Sequence, residues 1–193
     1  MAGGAVGGSG GPVEENWLLG RPGHGASIGP VFTLTRADGY LVSTDPERLD
    51  LDRVHHWLTT DAYWARGRDR ATVQRAFASS IGFGVYRPVD GRQVAVARAV
   101  TDRATFAWIC DVYVDRAERG HGLGTWLAGA IRDQLTELGI HKILLATNDA
   151  HGVYAKAGFV PLQQPDRWMQ LDQRVSPVTS KESSSKSPLT VTA

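Results

Sequence analysis

Residues 105–128 read T-F-A-W-I-C-D-V-Y-V-D-R-A-E-R-G-H-G-L-G-T-W-L-A, and this stretch decides the fold. Most residues from 105 to 114 are β-branched, aromatic or small, which predicts a buried strand. A charged turn over residues 115–118 ends that strand. The three glycines of residues 119–124 then open a helix, whose apolar residues recur at helical spacing as far as Leu138.

The junction between this strand and this helix suits a phosphate group. The first turn of a helix has free backbone N–H groups, and the helix dipole adds partial positive charge there. Glycines leave out the Cβ atoms that would keep a phosphate away, and Arg119 can add a charge-assisted contact. On the glycines alone, a helix entry that merely needs flexibility stays an alternative.

Two common nucleotide-binding loops do not match this junction. A Walker loop needs a Lys-Ser or Lys-Thr pair after its glycines, and none follows Gly124. A Rossmann fingerprint needs G-x-G-x-x-G at the strand end, with an acidic residue about 20 positions later. Here the spacing is G-x-G-x-G, and residues 115–118 separate the glycines from the strand. Both classes of site are therefore excluded.

The pattern that remains is [RQ]-x-x-G-x-[GA], filled by Arg119, Gly122 and Gly124. It resembles the acetyl-CoA loop of the GNAT superfamily of acetyl-CoA-dependent N-acetyltransferases. The resemblance covers about residues 39–171.

A second motif supports the same family. Residues 151–159 read H-G-V-Y-A-K-A-G-F, which is similar to the later Y-x-x-x-G-F element of these enzymes. Tyr154, Gly158 and Phe159 fill that element. The two motifs follow each other in the order and at the spacing of the family.

The resemblance implies an α/β fold. Its mixed, mostly antiparallel sheet has six to seven strands, is flanked by about four helices, and is splayed between strands 4 and 5. The patterns along the chain agree with that order. Predicted strands cover residues 31–35, 40–44, 83–87, 92–101, 105–114, 141–146, 159–162 and 168–171. Predicted helices cover residues 50–58, 69–80 and 149–156, besides the one that opens at 119–124 and ends at Gly139.

One domain is predicted over residues 31–172, because roughly 130 residues can bury an adequate apolar interior. Residues 1–30 are rich in Gly, Ser and Pro, which predicts a flexible segment. Residues 173–193 are rich in Ser, Thr and Lys, which predicts disorder.

The charge and composition of the chain argue against several classes of partner and location. The formal net charge is +1 and the sequence pI is about 8.0, which gives no case for nucleic acid or an acidic membrane. The one cysteine, Cys110, cannot form an internal disulfide and is expected to be a small buried residue rather than a reactive thiol. The chain shows neither the pattern of a signal peptide nor a long apolar run, so a soluble, cytoplasmic protein is expected.

The resemblance implies a set of cofactor-binding residues. Backbone groups of residues 112–114 are expected to bind the pantetheine arm and the thioester oxygen. Asn148 is a further candidate, since the family often has Asn one place earlier, where this chain has Thr147. The expected acetyl-CoA contacts are Val112, Tyr113, Val114, Arg119, Gly120, His121, Gly122, Leu123, Gly124, Thr125 and Asn148.

Tyr154 is the expected catalytic acid, because its hydroxyl has a reference pKa of about 10, close to that of an alkyl thiol. Asp111 is the candidate base, since a carboxylate in an apolar strand should have a raised pKa. Its alternative is a carboxylate paired with an Arg such as Arg98. His55 and His56 are a second alternative for the base.

The acceptor is expected beside Trp57, Tyr63 and Trp64, whose rings could hold an apolar or a cationic amine. Packing over the sheet edge is the structural alternative for these rings. No metal ligation is expected, because the histidines lie in separate motifs.

The sequence predicts an enzyme that moves an acetyl group from acetyl-CoA to a primary amine by direct attack in a ternary complex. The amine belongs to a small molecule or a peptide, and assembly as a homodimer is left open. The alternatives are a non-catalytic module that binds or senses acyl-CoA, and an interaction protein that kept only the fold.

Overall fold

A six-stranded sheet forms the centre of this computed structural model, which describes residues 30–173. The strands lie side by side in chain order. They are β1 Thr33–Thr35, β2 Leu41–Ser43, β3 Ile81–Tyr86, β4 Gln93–Thr101, β5 Ala107–Val114 and β6 Ile143–Leu145. All neighbours are antiparallel except β5 and β6, which are parallel. The predicted mixed, mostly antiparallel sheet is therefore confirmed.

Four α-helices accompany the sheet in the described range. They are α1 Leu51–Thr60, α2 Arg70–Ala78, α3 Leu123–Glu137 and α4 His151–Lys156. The first two begin where the sequence predicts, since the Asp50 and Asp69 carboxylates cap them by accepting hydrogen bonds from backbone N–H groups three residues later. None of the helices between residues 30 and 173 has the length and apolarity that a membrane crossing would require.

The two faces of the sheet carry separate apolar clusters. Neighbouring residues of a strand point to opposite faces, and Val96 and Tyr113 join a cluster with side chains of α1 and α2. Ala95 and Ile109 join the other cluster, with side chains of α3. The α3 helix supplies the crossover that a parallel pair such as β5 and β6 needs.

The parallel pair stays together for only part of its length. Residues Ala107 to Ile109 of β5 pair with Ile143 to Leu145 of β6, and β5 then continues to Val114 without that neighbour. When the strand predicted at residues 40–44 is counted as the first, β5 and β6 correspond to the predicted fourth and fifth strands. The predicted splay lies between them and leaves one side of β5 open.

A β-bulge lies at the start of the open part of β5. Asp111 and Val112 oppose the single residue Ala97 of β4, and Asp111 has a φ of 51°. A bulge re-aims side chains, because the extra residue shifts the alternation along the strand. The sequence pattern gave no sign of it.

The two predicted terminal strands, residues 159–162 and 168–171, are wrong. The chain divides after Phe159, and the described part of the second unit contains one 3-10 turn, Pro165–Arg167. All residues from 160 to 171 are exposed, so their apolar alternation has no core to face. Pro161 and Pro165 also lack the N–H that a ladder needs. The predictions for residues 1–29 and 174–193 lie outside the described residues.

Candidate active site

A groove of about 580 Å³ opens beside the unpaired part of β5. One wall is the loop that leads into α3, and another is α4 with Val153 and Tyr154. Tyr63 and Trp64, on a short 3-10 helix after α1, close a third side. The splay of the sheet thus brings together three segments that are far apart in the chain.

The loop presents a row of free backbone donors. The first helical bond of α3 runs from the Trp126 N–H to the Gly122 carbonyl, at 3.1 Å. Within the described chain, the N–H groups of residues 120–125 have no acceptor. Gly120 and Gly122 have φ values of 87° and 71°, which L side chains rarely adopt. These glycines are therefore needed for the loop's path, and the free donors suit an anion.

A buried carboxylate holds this loop to the sheet. Glu118, 4% exposed, accepts hydrogen bonds from the Tyr40 hydroxyl at 2.6 Å and from the Arg87 guanidinium at 3.0 Å. The bond to Glu118 raises the pKa of the Tyr40 hydroxyl. From another side, Arg36 donates to the His121 carbonyl at 3.0 Å. The loop is thus fixed by the protein's own contacts.

The open side of β5 offers backbone groups to the groove. The Asp115 N–H bonds the Val94 carbonyl of β4 at 2.9 Å, so backbone groups of alternate residues point toward β4. Those of Val112 and Val114 point the other way. The Val114 carbonyl accepts a hydrogen bond from the Arg119 side chain at 3.1 Å. This edge can bind an extended, amide-containing ligand.

Asp61 connects the end of α1 to the loop. Its carboxylate accepts hydrogen bonds from the Tyr113 hydroxyl at 2.7 Å, from Arg116, and from Arg119 at 3.3 Å. The bond from Arg116 is the largest cause that holds the pKa of Asp61 below its usual range. Tyr113 also stacks on Trp57, with ring centroids 5.2 Å apart. The Tyr113 side chain therefore packs toward α1.

Tyr154 lines the groove from the side of α4. Its side chain packs edge-on against Phe159, with centroids 6.0 Å apart, and the residue is 9% exposed. Burial raises the pKa of Tyr154 to about 12, and the charges of Asp149 and Tyr63 act in the same direction. Across residues 30–173 nothing hydrogen-bonds the Tyr154 hydroxyl. The hydroxyl is therefore protonated at neutral pH and available to a ligand.

A smaller cavity, of about 290 Å³, meets the groove at Tyr154. Six residues line both spaces, namely Tyr63, Trp64, Val112, Asp149, Ala150 and Tyr154. Trp108, Ile109 and Cys110 of β5 line the smaller cavity alone. Burial raises the pKa of the Cys110 thiol to about 11, so this half-buried cysteine is protonated and is a poor nucleophile.

Asp111 faces the same smaller cavity, but its carboxylate is fully engaged. The side chain is 2% exposed and bonds Arg98 at 2.6 Å and Arg68 at 2.8 Å. The Trp64 indole N–H donates to its other oxygen at 3.3 Å. This geometry favours the paired-carboxylate alternative, and a role for Asp111 as the base stays a prediction.

Asn148 and His121 lie differently from the other predicted cofactor contacts. Asn148 lines the smaller cavity, not the groove, and His121 contributes its carbonyl to a contact with Arg36. Thr147, at the place where the family often has Asn, accepts a hydrogen bond from the Ala150 N–H at 3.0 Å. The other predicted cofactor contacts all line the groove, whereas Asn148 and His121 do not.

The predicted acceptor aromatics divide into two groups. Tyr63 and Trp64 line both spaces, with their rings edge-to-face at 4.9 Å. Trp57 is 6% exposed and belongs to the apolar cluster under α1. His55 contacts the Arg68 carbonyl at 3.1 Å, and neither it nor His56 lines either space. In the described residues, no group of three or more His, Cys, Asp or Glu could hold a metal ion.

Sequence reasoning missed three polar residues at the site, Asp61, Glu118 and Asp149. Glu118 and Asp61 have partners that are more than 30 positions away, so no local pattern identifies them. Asp149 adjoins the predicted Asn148, and its place beside the tyrosine motif is the signal that could have found it.

Together these parts can bind and cleave an activated thioester. Free N–H groups at a helix start suit a pyrophosphate, and an open strand edge suits an amide chain. A protonated phenol that lines the same groove can donate a proton to a departing sulfur.

Comparison with known proteins gives consistent matches. The Acetyltransferase (GNAT) family model matches residues 51–159. The crystal structure of a provisional GNAT-family acetyltransferase from Xanthomonas campestris pv. campestris is 42% identical, with 69% of this chain and 92% of that chain covered and a TM-score of 0.64. A Gibberella zeae protein, provisionally named an acetyltransferase, is 31% identical over 140 residues, which are 63% of this chain and 78% of its own.

A further structure, from Clostridium acetobutylicum, is provisionally described as an acetyltransferase and was solved with acetyl-CoA. It is 19% identical, covers 69% of this chain and 95% of its own, and has a TM-score of 0.55. At that identity it supports the fold alone.

Proposed function

This chain belongs to the GNAT family of acetyltransferases, and from that premise we propose that it moves an acetyl group from acetyl-CoA to a primary amine. The amine attacks the thioester directly while both substrates are bound. The observation that carries the proposal is the shared groove. The loop with the free N–H groups and the residue with the unbonded hydroxyl, Tyr154, line the same groove.

The loop residues 120–125 bind the pyrophosphate of acetyl-CoA in this proposal. Six neighbouring N–H groups without acceptors, at a helix start, supply hydrogen bonds and a favourable dipole. Arg119 adds charge close by. The backbone groups of Val112 and Val114 bind the pantetheine arm as an added strand would, which directs the thioester toward Tyr154.

Tyr154 then donates its proton to the sulfur as the C–S bond breaks. Because burial raises its pKa to about 12, the hydroxyl is protonated when the reaction begins. The amine nitrogen forms the new bond to the acetyl carbon. An amine that arrives as ammonium first loses one proton to solvent, because only the neutral amine can attack. After the new bond has formed, the nitrogen gives a second proton to the tyrosinate, so the charge balances.

The test has two measurements on the same protein. Isothermal titration should detect acetyl-CoA binding, and a thiol reagent should detect CoA release in the presence of primary amines. Binding without thiol release on any amine would indicate an acyl-CoA-binding module instead. Absence of binding would remove the cofactor assignment as well.

A further inference from the structure

The smaller cavity is the place from which an acceptor can reach Tyr154. It shares Tyr63, Trp64 and Tyr154 with the groove, so a molecule in it lies next to the reacting end of a ligand in the groove. Its volume of about 290 Å³ is just below the range of about 300–1,000 Å³ typical of drug-sized ligands. A small acceptor group is therefore the best fit.

The charged residues that line this cavity are acidic. Asp111 and Asp149 are its charged lining residues, and none of the described residues that line it is basic. Asp111 is neutralised from behind by Arg68 and Arg98, whereas Asp149 has no ion pair or hydrogen bond within residues 30–173. Asp149 and Tyr154 line both the groove and this cavity, and the charge of Asp149 adds to burial in raising the pKa of Tyr154.

Two aromatic rings accompany this unpaired carboxylate. Tyr63 and Trp64 are 44% and 41% exposed and line the cavity together with Asp149. The indole N–H of Trp64 is held by Asp111 at 3.3 Å, so the position of this ring is fixed. Aromatic rings beside a carboxylate attract ammonium groups through both charge and cation–π interactions.

We propose that Asp149 determines acceptor specificity, and that with Tyr63 and Trp64 it selects small primary amines that arrive as ammonium ions on an apolar body. This inference rests on the proposed acetyl transfer and adds the acceptor's chemical class to it. Asp149 holds the ammonium, and Trp108 and Ile109 contact the apolar part. An aryl amine, which is neutral at pH 7, gains nothing from the carboxylate.

The experiment compares 2-phenylethylamine, which is protonated at neutral pH, with aniline, which is not. The parent should show the lower KM for 2-phenylethylamine. Asp149→Asn should raise that KM about 5-fold, since an exposed ion pair contributes modestly, with kcat nearly unchanged. It should leave the KM for aniline unchanged, and Asp149→Glu should retain most of the preference. Glu137→Gln, an exposed charge removal at the far end of α3, is the control.

The possible failures are distinguishable. Equal KM values for parent and Asp149→Asn, or an equal rise for both amines, would overturn the role of Asp149 while acetyl transfer stands. If the protein acetylates other amines but neither 2-phenylethylamine nor aniline, only the proposed acceptor class is overturned. If the parent acetylates no amine, the proposed function fails and this inference falls with it.

Discussion

Two of the groove's walls offer different chemical groups to a ligand. The loop wall, residues 118–125, offers backbone N–H groups, and its path depends on glycines with positive φ and on a buried carboxylate. The acceptor wall, residues 61–65, offers the exposed rings of Tyr63 and Trp64. Recognition through backbone groups restricts which residue types can occupy the loop positions. Recognition through side chains allows many residue types, each suited to a different ligand. A sequence can therefore reveal the cofactor class more readily than the acceptor.

The largest effect should come from Tyr154, on the α4 side of the groove. Tyr154→Phe removes the proton donor and keeps the ring, so kcat should fall by about 10²-fold or more, with acetyl-CoA affinity nearly unchanged. Tyr86→Phe is a matched control, because burial raises the pKa of Tyr86 to about 12 too and its hydroxyl also lacks a partner in the described chain.

Steady-state kinetics with titration calorimetry would measure both quantities for both variants. Full activity of Tyr154→Phe, with loss of activity in Asp111→Asn, would mean that removing the amine proton limits the rate. Full activity of both variants would show that neither residue acts in the rate-limiting step.

The loop wall can be tested without straining its backbone. A Cβ at Gly124 would lie 3.6 Å from Val153 and 3.8 Å from Val114, within ordinary contact. Gly124→Val should therefore fold, while its methyl groups block the approach to the free N–H groups. Acetyl-CoA affinity should fall about 10- to 100-fold, as expected when charge-assisted hydrogen bonds are lost.

Gly129→Val provides the comparison for this test. It is in the same helix, with nothing within 4 Å of an added Cβ, and it carries the same cost of a β-branched residue in a helix. Equal affinity of the two variants for acetyl-CoA would show that the start of α3 is not the phosphate site.

The preorganisation of the loop wall depends on Glu118. Glu118→Gln keeps the shape but removes the charge that pairs with Arg87, so the free energy of unfolding should fall by about 1–3 kcal/mol. Acetyl-CoA affinity should fall with it, because the loop is less well fixed. Asp90→Asn removes the exposed partner of the same arginine and should change both quantities less. Urea unfolding would measure the stabilities and calorimetry the affinities. A larger effect of Asp90→Asn than of Glu118→Gln would show that other contacts hold the loop.

The link between the walls should contribute least. Asp61 pairs with Arg116, which is 73% exposed, so Asp61→Asn should lower the unfolding temperature only slightly at neutral pH. Its folded pKa is depressed, chiefly by the bond from Arg116. The stability advantage of the parent over Asp61→Asn should therefore be complete above the unfolded pKa of about 3.9. It should shrink as the pH falls below that value. Thermal melts between pH 3 and pH 7 would measure this, and an advantage that grows in acid would contradict it.

The sequence predicted the elements that have a local cause. Periodicity located the helices, and the structure shows that the first residues of two predicted ranges, Asp50 and Asp69, are their caps. The loop was identified through the family resemblance, because its glycines alone also suit a helix entry that merely needs flexibility. The fold class followed from the order of these elements and from the family resemblance.

What the sequence did not predict depends on distant partners. Glu118 reads as part of a solvated turn, and only Tyr40 and Arg87, which adjoin β2 and β3, make it a buried anchor. The pairing of Asp111 with Arg98 was an open alternative in the sequence, but the second arginine, Arg68, was not predicted. The false strands near the C-terminus had the right alternation, which says nothing about whether a core lies on either side.

The open side of β5 has a consequence for the protein without its ligand. Unpaired strand groups are templates for aggregation, because another extended chain can add to them. In this protein the exposed edge is short, and Arg119 occupies the Val114 carbonyl. The amides of Val112 and Val114 should exchange with deuterium faster than those of Tyr113, whose hydrogen bonds point into the sheet. In the proposed complex acetyl-CoA covers this edge, so its binding should slow that exchange and also hinder self-association.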